Sequence, residues 1–174
     1  MNLVTAYTKI DKISFVCYET SPQNPIWGQF RRWEQFEPYN GEVTYLEILY
    51  ASHLDESWKR FVVCKELCHA LESTDGSHTV EDRDVTKLIN SLAIKSVQPS
   101  EMTEAFGAEI LAEMCAMEML LPIEFRQNII DRYGASAETN AMIAKEHKLP
   151  LLFTALAMDP SYIAMMSGIF EAYE

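Results

Sequence analysis

The hydrophobic pattern of this chain changes period at Asp55. Before it, β-branched and aromatic residues cluster in short runs; after it, apolar residues recur at helical spacings. A chain that switches in this way builds sheet first and helices afterwards, which points to an α+β layout. Lys12–Thr20 (KISFVCYET) and Glu42–Tyr50 (EVTYLEILY) are the clearest strands, and both stop at polar or turn-forming residues. Between them, Phe30–Pro38 leads into Asn40-Gly41, a pair whose tolerance of positive φ suits a two-residue hairpin turn. A small N-terminal antiparallel sheet is the expectation.

Asp55 can cap a helix that opens with Glu56, and Trp58, Phe61, Val62, Leu67 and Leu71 give it an apolar side as far as about Glu72. Ser73–Arg83 is polar and contains glycine, as a surface loop does, and a short helix through Leu88 and Leu92 follows. Ser100, with Glu101 and Glu104 in the first turn, starts a long helix that ends before Leu121-Pro122. These two long helices should form the core. Beyond Pro122, a helix over Ile123–Tyr133 ends at Gly134, and Ser136 can cap another running to about Lys148. Two final helices begin with Pro150 and Pro160 as first helical residues, the second behind Asp159 as N-cap.

Acidic residues outnumber Lys and Arg by 26 to 14, a formal charge of −12, so the average field repels phosphate backbones and anionic membranes. The C-terminal helices resemble a helix-turn-helix in spacing, yet no Lys or Arg occurs from Leu149 to Glu174. Without side chains to hold phosphates, nucleic-acid binding there is not expected. The same stretch is rich in Leu, Met, Phe and Tyr, which means either core or a helical docking surface. The N-terminal stretch has no apolar signal core, and no run approaches the roughly 18 apolar residues of a membrane span. A cytoplasmic location, no membrane contact and free thiols at Cys17, Cys64, Cys68 and Cys115 are therefore expected.

One segment could carry chemistry: Arg60–Leu71, RFVVCKELCHAL. In gluzincin-type peptidases a helix carries H-E-x-x-H, because residues four apart share a face and let two imidazoles meet one Zn²⁺ while the Glu activates its water. Lys65-Glu66-Leu67-Cys68-His69 keeps the Glu and the second His but has lysine for the first. Around it, Arg60-Phe61, Glu66-Leu67 and His69 match the offsets of a block resembling R-F-T-x-A-H-E-L-G-H. Downstream, Glu109 stands thirteen residues before Pro122, and Leu120-Leu121 precede that proline. On these two blocks, spanning roughly residues 42 to 125, the chain resembles the ImmA/IrrE family of zinc-peptidase-like proteins.

The resemblance implies a zincin-like helical core over residues 1–125, with the strands, the motif helix and the Glu109 helix, and a helical region over 126–174 packed on it. It also implies His69 and Glu109 as metal ligands and Glu66 as general base. Lys65 breaks that set, since a protonated amine has no lone pair to give and sets its charge beside the cation. Its ammonium would either neutralise Glu66 and Glu109 as the metal does, or snorkel to solvent. Glu113, four residues after Glu109, offers an altered set of His69, Glu109 and Glu113. Cys64 and Cys68 read as small apolar fillers, and His53, His78 and His147 as solvated histidines. Asp75, Asp82 and Asp84 lack the spacing of a calcium loop.

The leading expectation is a degenerate metallopeptidase-like protein that binds a protein partner as a regulator, in a mobile-element or stress-response setting, with no cofactor. The alternatives are an active metallo-endopeptidase using zinc on a rearranged set, with a substrate such as a transcriptional repressor, and a structural or oligomerising module.

Overall fold

The computed structural model describes residues 9–70 and 104–171. Its strands are β1 (Lys12–Tyr18), β2 (Gly28–Glu37) and β3 (Gly41–Ala51). Its helices are α1 (Glu56–His69), α2 (Glu104–Leu120), α3 (Ile123–Tyr133), α4 (Ala137–His147), α5 (Leu151–Ala157) and α6 (Pro160–Glu171). The expected loop over Ser73–Arg83, the helix through Leu88 and Leu92, and the start of the long helix at Ser100 lie outside the described residues, as do His78, Asp75, Asp82 and Asp84.

The sheet is mixed, not antiparallel, with the order β1-β3-β2. β2 and β3 form the expected hairpin, while β1 runs parallel to β3, with Lys12 beside Tyr45 and Tyr18 beside Ala51. The parallel pairing arises because residues 19–27 carry the chain across one end of β3 to its far edge. Ser52 N–H donates to the Tyr18 carbonyl and Ala51 N–H to the Trp27 carbonyl, both at 2.9 Å, so this connection closes around the end of the central strand. It has to bridge two strand spacings, about 10 Å, well within the reach of nine residues.

The hairpin turn also differs from expectation. Glu37 pairs with Gly41, leaving three loop residues, and Asn40 N–H donates to the Glu37 carbonyl. Gly41, at φ +75°, takes the left-handed position that follows a turn of this length, so only half of the Asn40-Gly41 pair supplies positive φ.

α1 starts where the sequence indicates, with Asp55 accepting from the Trp58 N–H at 2.9 Å. It ends at His69, with Ala70 as C-cap. One side lies on the sheet, where Val63, Leu67 and Phe30 pack around the buried Leu46 and Ile48. The other side meets α2, where Cys64 and Cys68 share a cluster with Ala112 and Ala116. Small residues on both helices let the backbones approach closely, which brings the polar ends of longer side chains within reach of one another.

That cluster extends through Ile129, Ile143, Leu149, Phe153, Met158 and Met166, so α3 to α6 share a core with α1 and α2. Phe61 stacks on Phe153 with ring centres 3.8 Å apart, tying α1 directly to α5. Arg126 on α3 is fully buried. It donates through Nη1 to the Ala157 carbonyl at 2.8 Å, pairs with Glu118 of α2 through Nη2, and stands over the Tyr162 ring of α6. Asp159 caps α6 as expected, accepting from the Ser161 N–H at 2.8 Å. Pro150 is the N-cap of α5 instead of its first residue. Among the described residues, no helix is long and apolar enough to cross a membrane.

Candidate functional site

Because α1 is wedged between the sheet and α2, it buries polar positions that a helix with one apolar side would leave in water. Glu66 and His69 are both buried, although each is a poor core residue alone. They persist there because α2 brings complementary groups. Glu109 and Glu113, one helical turn apart, face the same region as the buried end of α1.

Lys65 completes the arrangement. Its Nζ lies 2.7 Å from Glu109 Oε2 and 3.2 Å from Glu66 Oε1, while His69 Nε2 lies 3.1 Å from Glu109 Oε1. With only 18% of its side chain exposed, Lys65 points into the cluster and does not snorkel. The ammonium therefore bridges the two carboxylates that the resemblance assigns to the general base and the metal ligand.

β2 supplies the floor. A Cβ on Gly28 would lie 2.4 Å from Val62 Cγ1 and 2.8 Å from Glu66 Oε1, so only glycine admits Glu66 at this position. The Phe30 ring stacks on the His69 imidazole at 5.7 Å between centres and 15° between planes. Sequence reasoning missed both residues. A glycine opening a strand is a sign of close approach by another element, and it was the available signal for Gly28.

The charges follow from burial and neighbours. Burial alone would lower the Lys65 pKa, but Glu66, Glu109 and Glu113 outweigh it and raise it. Burial would raise Glu109, yet the His69 contact and the Lys65 charge hold it down at about 2. His69 is pushed down by burial and raised more strongly by Glu109 and Glu66, a net rise that favours the imidazolium. Glu113 is carried up to about 7, because burial and the Glu109 charge prevail over Lys65 and His69. Tyr18 is also raised, first by burial and then by the Glu66 charge.

This donor set does not fit a zinc ion as it stands. Both oxygens of Glu109 are engaged, one by Lys65 and one by His69, and the Lys65 ammonium occupies the space between the Glu66 and Glu109 carboxylates. Among the described residues, no group of three or more His, Cys, Asp or Glu side chains is placed to hold a metal ion. What the cluster does chemically is store charge: one histidine and one lysine keep the Glu109 carboxylate ionised against a burial that would otherwise favour its protonation.

The remaining candidates stand apart. Cys64 and Cys68 are buried, as fillers should be, and His53 is exposed. His147 departs from the solvated reading: it is half-buried, with its ring edge-on to Phe125 at 4.9 Å, and its carbonyl accepts from Arg60 Nη1 at 2.9 Å. The chain matches no protein-family model and no curated protein sequence.

Proposed function

We propose that this protein is a metallopeptidase-like fold of the ImmA/IrrE kind in which an internal lysine has taken over the cation's place, and that it acts by binding a protein partner without zinc-dependent proteolysis. The observation that supports this reading is the Lys65 ammonium within hydrogen-bonding distance of both Glu66 and Glu109. In a working site of this type the Glu of the motif must be free to take a proton from water, and the second carboxylate must give an oxygen to the metal. Here both carboxylates are committed to one ammonium. Regulation through a protein partner, such as a transcriptional repressor in a mobile-element or stress-response setting, is what the resemblance adds. The strongly acidic charge of −12 is consistent with a protein partner over nucleic acid.

The test is metal content together with cleavage of an unfolded protein substrate. After exposure to zinc and removal of the excess, the wild type is expected to retain no zinc at the Glu109 site and to leave the substrate intact. Lys65→His, which supplies the missing imidazole, is expected to gain about one equivalent. Stoichiometric zinc in the wild type that Glu109→Ala removes, accompanied by cleavage, overturns the proposal.

A further inference from the structure

Three sulfur-bearing side chains, Cys64, Cys68 and Met119, lie where α1 packs on α2, two of them at cysteine positions that sequence reasoning assigned to packing alone. Cys64 and Cys68 are four residues apart on α1, which sets them on one helical face, and the Cys64 thiol is turned toward α2, donating to the Ala116 carbonyl at 4.0 Å. Met119 of α2 meets the second of them, with its Sδ 3.7 Å from Cys68 Sγ. Both cysteines are buried, while Met119, in contact with Cys68, is 56% exposed and reaches solvent.

We infer that Cys64, Cys68 and Met119 form a binding site for a soft monovalent metal ion, Cu(I) by chemistry. Two thiolates and a thioether are the soft donors that select Cu(I) over harder ions. Metal–sulfur bonds of about 2.3 Å, opened at roughly 110–120°, hold two sulfurs about 3.8–4.0 Å apart, close to the Cys68–Met119 separation. The ion therefore enters with little rearrangement of that pair. Binding balances simply: two S–H bonds break and release their protons to solvent, two thiolate–copper bonds form, and the neutral thioether gives a third. Copper arrives as Cu(I), so no electron is transferred. The exposed Met119 gives the route in, and the apolar side chains of Ala112 and Ala116 keep water from the coordinated thiolates. This site uses none of Lys65, Glu66, His69 or Glu109, so its failure would leave the proposed function untouched.

The test is titration of the intact, fully reduced protein with Cu(I) against a chromophoric cuprous chelator, without oxygen. The wild type is expected to take about one equivalent. Cys64→Ala and Cys68→Ala should each weaken binding by more than about 100-fold, beyond the usual cost of losing an outer-shell partner. Met119→Leu should weaken it by about 10-fold, and Cys17→Ser and Cys115→Ser should leave it unchanged. X-ray absorption on the loaded wild type needs no variant and should find sulfur alone around copper. No uptake, uptake that survives both Cys→Ala variants, or a shell containing nitrogen or oxygen overturns the assignment. An unchanged Met119→Leu overturns the three-sulfur site.

Discussion

Lys65→Met keeps most of the buried aliphatic stem and removes only the charge, so it isolates what the ammonium contributes. In the wild type, Glu109 is held at about 2 against an ordinary 4.5, roughly 300-fold weaker proton binding, which corresponds to about 3 kcal/mol of stabilisation near neutral pH. His69 provides part of that, but Lys65 also compensates Glu66, whose side chain is only 5% exposed. Removing one partner of a buried pair costs about 3–5 kcal/mol, so both routes give a loss of about 3 kcal/mol at pH 7.5. The loss should depend on pH. Glu109's depressed pKa contributes stability above 4.5 that disappears as pH falls toward 2. In the variant Glu109, without the Lys65 charge, takes up its proton at higher pH than before, so the difference from wild type should shrink between pH 7.5 and pH 5. Urea unfolding of both proteins at the two pH values measures this. A loss below about 1 kcal/mol at pH 7.5, or one that does not change with pH, would refute the buried-bridge reasoning, because that is the behaviour of an exposed ion pair.

Two further outcomes follow from the same geometry. Gly28→Ala should destabilise the protein by about 1–3 kcal/mol in urea unfolding, because its Cβ meets Val62 and Glu66 at distances no side chain tolerates; unchanged stability would mean that β2 does not press on Glu66. Glu113 binds its proton more tightly when folded, at about 7, than the ordinary 4.5, so its carboxyl costs stability as pH rises through that window. Glu113→Gln should therefore stabilise the protein above pH 7, by up to about 3 kcal/mol, and have little effect at pH 4.5, and a stability gain that is the same at both pH values would count against it.

Much of the layout could be read from local signals. Asp55, Ser136 and Asp159 each mark a helix start through a side-chain cap, and Gly134 marks an end at φ +73°. The β2–β3 hairpin was legible because its partners are adjacent in sequence. The pairing of β1 was not, because it depends on where residues 19–27 carry the chain and not on the composition of β1 itself. Arg126 was invisible for a similar reason. On a helix reading Ile123-Glu124-Phe125-Arg126, an arginine looks solvated, and its partners Glu118, Ala157 and Tyr162 come from three other helices. The candidate cluster was easier. Lys65, Glu66 and His69 stand at helical spacing, while Glu109 was singled out only by what the family resemblance implies about its distance from Pro122. Spacing could not say whether Lys65 turns inward, which depends on α2 and on the room that Gly28 leaves for Glu66.

The most direct measurement of the central claim is the titration of the Lys65 ammonium itself, followed by NMR on protein labelled at lysine side chains and assigned with Lys65→Met. Held by Glu66, Glu109 and Glu113, Lys65 should stay protonated through the range near 10.5 where ordinary lysines lose their proton. If it titrates together with the exposed lysines or below them, the ammonium does not bridge the buried carboxylates and the account fails.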